Sequence, residues 1–422
     1  GGWIGSVPAG TVQLGGLSTG TSTSADLELT LPFEILTTGA ARPGAVLQSI
    51  AGGGGIVADV GGNVTIGGSQ QATVDASAGS LNYTQLSRSI TTGGADSPGV
   101  VLQSIGGGGG LLGAVDGSVT AGSTSAAGSD VRGGSIPAVS GAPITTIGIS
   151  SPGFTIQSIG GSGGLIGSAP TSVSAGGSGF GDSRSGAITF TNSGEITTAG
   201  LNSTGVILQS IAGGGLYTTS AGGNAVSLGG SVSGNNDSAA ITFTNFRAIT
   251  TVGSNSAAIV AQSIAGGGGA VFGLEDATAT SITLGGKNAS ENKASALNLT
   301  ITGNLTTTGN LSPALLAHSI GGGGGYAPLP SANAAAGAIN SLNLDGSTVE
   351  LNLSADVLTT GFGSDGLLIQ SIGAGGGRVG SPTSSLTLGA SNLATGDGAD
   401  VIVNSTGTIT TTGAQSIGIF AQ

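Results

Sequence analysis

An all-β solenoid of eight stacked repeats is the fold this sequence predicts, and three observations predict it. A largely apolar tripeptide runs into Gln-Ser-Ile, once His-Ser-Ile, and then into a glycine-rich run. The anchors are Gln48, Gln103, Gln157, Gln209, Gln262, His318, Gln370 and Gln422, with spacings of 55, 54, 52, 53, 56, 52 and 52 residues. A second signature keeps step upstream, at Leu36-Thr37-Thr38, Ile90-Thr91-Thr92, Ile144-Thr145-Thr146, Ile196-Thr197-Thr198, Ile249-Thr250-Thr251, Leu305-Thr306-Thr307, Leu358-Thr359-Thr360 and Ile409-Thr410-Thr411. Third, the segments between turn residues are short and β-branched, and helical periodicity is nearly absent. Self-similarity at a fixed period marks an array whose units complete their core by stacking on neighbours. Residues 1–422 are therefore read as one elongated repeat domain.

Within the unit, Ala225–Leu228, Ala240–Thr244, Ala248–Thr251 and Ala258–Ile264 read as strands bounded by Gly, Asn or Ser. Only 331–338 has the composition for a short helical turn. Three or four strands per repeat suit one large or two smaller solenoid turns. At about 4.8 Å per turn, eight turns make a rod of about 40 Å and sixteen one of about 80 Å. A single turn would be unusually wide, so two are favoured.

The Gln-Ser-Ile strand is apolar on both faces: in Val100-Val101-Leu102-Gln103-Ser104-Ile105 both alternating sets carry aliphatic side chains. Such a strand is normally covered on both sides. The cover is either a second layer of the same chain or a neighbouring chain, and the pattern reads as a hint of lateral assembly. The glutamines are expected to form a ladder of side-chain amides along the stack, with His318 in one of its slots. The following glycine runs, such as Gly106 to Gly110, permit close backbone approach.

Composition narrows function. Glycine accounts for 87 of 422 residues, aromatics for 3% and charged residues for 7%, so burial must come from thin aliphatic layers. A net charge of −12, with only two lysines and six arginines, gives nucleic-acid binding no electrostatic basis. The same acidity disfavours anionic lipid. Every hydrophobic run dissolves into Gly, Ser or Thr before 18 residues, which excludes a transmembrane helix, and a membrane barrel would need aromatic girdles. There are no cysteines and hence no disulfide, thiolate zinc site or thiol nucleophile. No signal peptide is visible, and the first residues match the phase of a glycine run, which reads as a processed product or a segment of something longer.

Glycine richness also generates chance motifs. The segment Gly160-Gly161-Ser162-Gly163-Gly164 matches a nucleophile elbow, but that motif needs a helix and a histidine partner, and the one histidine lies in the ladder. Asp397 and Asp400 lie in a sequence like one calcium-binding nonapeptide, a fold that needs tandem copies; an acidic turn is the plainer reading. Glu275-Asp276 reads as a solvated turn pair. The sequons at Asn63, Asn202, Asn298 and Asn404 are expected by chance in so Asn-, Ser- and Thr-rich a chain. No catalytic residue, cofactor or metal site is assigned.

The string x-G-[VI]-[VIL]-[LA]-Q-S-I-[GA]-G-G-G-G, preceded by I-T-T-x-G-x-x-S, is clearest at 90–110, 196–215 and 249–269. It resembles the repeats in passenger regions of very large bacterial autotransporter and adhesin-like surface proteins. The resemblance covers all eight units and implies a secreted or surface-anchored β-solenoid of a Gram-negative bacterium, located outside the cell or on its outer membrane. The function expected is structural: a self-associating fibre segment whose partners are copies of itself, joined laterally or through uncapped end turns. The alternative is an adhesin stalk whose loops bind a host or neighbouring-cell ligand. A polysaccharide-cleaving β-helix enzyme would need clustered carboxylates and aromatic platforms.

Overall fold

The computed structural model describes residues 2–18, 20–70, 75–169, 171–221, 225–273, 279–328, 331–380, 382–391 and 395–422. It is an all-β solenoid: six parallel sheets run the length of the stack, five with eight strands and one with ten. Among the described residues there is no helix, and Ser331–Ala336 is a strand instead of the helical turn its alanines suggest.

Each repeat makes one turn. Val100–Ile105 pairs in register with Ala45–Ile50 on one side and Phe154–Ile159 on the other, so Gln103 sits between Gln48 and Gln157. The expectation of two turns per repeat is therefore corrected to one, and the rod to eight coils, about 40 Å long. The width is accommodated because the coil does not enclose one wide cavity. Its interior is divided into several thin cores.

The partition is the Gln sheet, built from the strands Ala45–Ile50, Val100–Ile105, Phe154–Ile159, Val206–Ile211, Ile259–Ile264, Leu315–Ile320, Leu367–Ile372 and Ile419–Ala421. On one face Val100 and Leu102 join the largest core, walled by an outer sheet (Leu81–Gln85 and its equivalents) and a Thr sheet (Ile90–Thr92 and its equivalents). On the other, Val101 packs against Leu111 of the Gly sheet, which follows each glycine run and includes Gly109–Ala114 and Gly163–Ala169. A far sheet, including Val119–Ala121 and Ala225–Leu228, closes a third core against the Gly sheet. The doubly apolar strand is thus covered on both faces by its own chain, and its pattern is no evidence for a neighbouring one.

The glycine runs make that second layer possible. At Gly163, a Cβ would overlap the Gly215 carbonyl oxygen of the next coil. Gly267, with φ +82°, crosses so close to the far sheet that a Cβ would lie 2.8 Å from Gly229 Cα. At the same crossing one coil along, Gly286 N donates to Gly266 O at 2.5 Å. Side chains here would force the walls apart.

The Thr sheet is offset by one residue from the alignment of Leu36 and Leu358 with Ile90. The register pairs Ile90 with Ile35, and Val357 with Leu305, so Leu36 and Leu358 point outward at 68% and 38% exposure. Side-chain alternation sets this register: Ile35 and Val357 are the residues that face the core.

Candidate functional site

The repeated motif resolves into three columns. In the first, Gln48 Nε2 donates to Gln103 Oε1 at 2.6 Å, Gln103 to Gln157 at 2.8 Å, Gln157 to Gln209 at 2.7 Å, Gln209 to Gln262 at 2.8 Å and Gln370 to Gln422 at 2.8 Å. The second amide proton goes to the facing Gly strand: Gln103 to Gly110 O at 3.1 Å and Gln157 to Gly164 O at 3.0 Å. Residues 103, 157, 209, 262 and 318 are fully buried, and the amides of Gln103, Gln157 and Gln262 are tied both along and across the layer.

His318 takes one slot. Gln262 Nε2 lies 3.5 Å from its Nδ1, and an amide nitrogen only donates, so Nδ1 accepts and the proton sits on Nε2. That Nε2 finds no partner, and neither does Gln370 Oε1 in the next coil. Burial first, and the charge of Arg378 second, hold the imidazole neutral and lower its pKa to about 3.

The serine of Gln-Ser-Ile joins one end of the coil to the other. Ser104 Oγ donates to Gly79 O at 2.8 Å and accepts from Gly134 N at 2.7 Å, and Ser158 repeats this with Gly134 O and Gly186 N. The isoleucines form their own small core at 211, 264 and 320. In the turn after the Thr sheet, Thr92 Oγ1 donates to Ser97 O at 2.6 Å, and Ser97 N donates to Ser151 Oγ at 2.9 Å in the next coil. The same pair recurs at Thr146 with Ser151 and at Thr307 with Ser312. The string I-T-T-x-G-x-x-S therefore encodes a turn stitched to the next by serine hydroxyls where strand pairing lapses.

The remaining candidates occupy structural places. Ser162 Oγ donates to Gly107 O at 2.6 Å inside the buried glycine layer and faces no imidazole. Asp397 N donates to Asp345 Oδ1 at 3.2 Å, while Asp397 and Asp400 lend backbone carbonyls to Gly346 and Val349. Among the described residues no three His, Cys, Asp or Glu side chains gather as a metal site would require. Of the sequons, Asn202 is buried in its turn and Asn404 donates to Asn352 at 2.9 Å. Glu275-Asp276 lies outside the described residues.

Two polar arrangements escaped sequence reading. Thr204 Oγ1 meets Tyr217 OH at 2.5 Å, and Asp365, fully buried, pairs with the Arg378 guanidinium while its Oδ1 accepts from Ile417 N at 2.9 Å. Both pairs join the turn to the Gly sheet. In addition, Asp96 has φ +51° and an Oδ1 that is buried without a partner. Burial, then the neighbouring Asp59 charge, raise its pKa to about 7. An acid at a turn position held in the other coils by uncharged residues, Ala41, Ser150, Asn202, Asn255, Leu311, Gly363 and Gln415, was the available signal.

Comparison of the chain with protein-family models, curated proteins and solved structures finds no match.

Proposed function

We propose that this chain is a structural, self-associating segment of a bacterial extracellular or cell-surface fibre, without catalysis. The observation that carries the reading is where the recurring chemistry of the repeat goes. The Gln amides and both serine columns bond coil to coil, while the turn threonines brace each turn internally, and together they build length instead of a pocket. A second support is composition, since few charges and few aromatics leave little with which to grip a sugar or a nucleic acid. The autotransporter-like motif supports placement outside the cell.

The test is imaging and labelling of the producing cells. Antibody raised against the chain should decorate filaments or the outer surface, and protease added to intact cells should remove the signal. A signal confined to the cytosol would sink the reading. Short isolated rods that retain a host or cell ligand would transfer it to an adhesin stalk.

A further inference from the structure

We propose that the outward face of the far sheet is an ice-binding surface. The proposal goes beyond the fibre reading and does not depend on self-association.

Strand register lays the face out. The core-facing positions 12, 64, 119, 173, 226, 282, 334 and 386 pair from coil to coil, so the residues on either side of each stand outward in two columns through all eight coils. Of these sixteen positions eleven are Ser or Thr, three are Asn or Gln and two are Ala. None is charged or aromatic, and all are exposed or half-buried. One column carries Thr65, Thr120, Ser174, Ser227 and Thr283 in five consecutive coils. In the other, Ser172 Oγ donates to Ser118 Oγ at 2.8 Å and Ser385 Oγ donates to Asn333 Oδ1 at 2.7 Å, which holds these groups in place along the stack.

The other exposed sheets differ. The outer sheet turns Glu28 and Glu350 outward, the Thr sheet turns out Leu36 and Leu358, and the ten-stranded sheet carries ion pairs such as Arg184 with Asp182.

The occupant follows from what the face offers and lacks. A soluble partner is gripped through a large apolar or charged anchor or a concave pocket, and the columns hold no such anchor. They supply instead a rectangular net of short side chains, about 4.8 Å apart along the stack and about 6.6 Å apart along each strand. Prism faces of hexagonal ice present water oxygens on a rectangular net of closely similar dimensions. Each hydroxyl both donates and accepts, as a lattice water does. Only a ligand that is itself a lattice meets every position of such a face, and a rigid sheet presents them together with little ordering cost.

The test uses the full chain and a single ice crystal held just below its melting point. Wild-type protein should facet the crystal, halt its growth over a measurable interval of cooling and be enriched in slowly grown ice. Ser174→Tyr, in the middle of the face, should shrink that interval severalfold, and Thr120→Lys one coil away should do the same with a charge. Thr242→Tyr on the outer sheet should leave it unchanged. Ser174→Thr keeps the net and should stay active, and circular dichroism of each variant separates loss of the face from misfolding. Wild-type protein that neither shapes ice nor enters it would overturn the proposal. So would full activity in folded S174Y and T120K, equal loss in T242Y, or retention on microcrystalline cellulose in place of ice. None of these outcomes bears on whether the rods associate.

Discussion

Asp365 and Arg378 occupy the same two slots as Thr204 and Tyr217. Each pair is separated by thirteen residues, and each joins the turn to the face of the Gly sheet that packs against the Gln sheet. In two other coils the slots hold Pro98 with Leu111 and Pro152 with Leu165, neither of which needs a polar partner.

This equivalence predicts a double-mutant cycle. Asp365→Pro alone strands a partly buried guanidinium, and Arg378→Leu alone strands a fully buried carboxylate, each costing about 3 kcal/mol or more. The double substitution recreates a combination the chain already uses and should be near neutral. Denaturant midpoints of the four proteins measure the coupling; additive losses would mean that the slots are independent.

His318→Gln should complete the amide ladder and raise stability by about 1 kcal/mol. It should also change the acid response. The folded imidazole titrates near 3, below its ordinary 6.5. Between these values the unfolded chain binds the extra proton, so wild-type stability falls as pH drops below 6.5, by up to about 1.4 kcal/mol per unit. In H318Q that slope should shrink; an unchanged profile would show that another group sets it.

Asp96 predicts the opposite trend. Its folded pKa near 7 exceeds the ordinary 3.8, so the folded state holds the proton between them. The associated stability is present below 3.8 and is lost as pH rises through 7. Asp96→Asn should therefore melt higher than wild type at pH 8 and show little gain at pH 4. Equal gains at both pH values would argue against a titrating carboxyl.

Replacement of a layer glycine tests the crossing. Gly163→Ala should be severely destabilising, because its methyl meets backbone in the next coil, whereas Gly2→Ala has nothing within 4 Å and should be silent. Thermal melts of the two proteins separate steric overlap from a general effect of losing glycine.

Much of the fold was legible in the sequence because the Gln-Ser-Ile period is itself the coil-to-coil register, as the pairing of Gln103 with Gln157 makes plain. The number of turns per repeat was not, because a wide coil looks unfillable until the glycine crossing at Gly229 and Gly267 divides it. The alternation of Val100 and Val101 announces two covered faces but cannot name the cover, and the Gly strand carries too few side chains to read as a wall. The Asp365–Arg378 slots were readable in principle, through a fixed offset of thirteen, but two occurrences make a faint pattern.

The most direct measurement is cryo-electron microscopy of the native assembled material at a resolution that separates coils. The account predicts filaments in which each layer of about 4.8 Å contains one full repeat of 52 to 56 residues. Two layers per repeat would contradict the fold, and dispersed single rods would contradict the fibre.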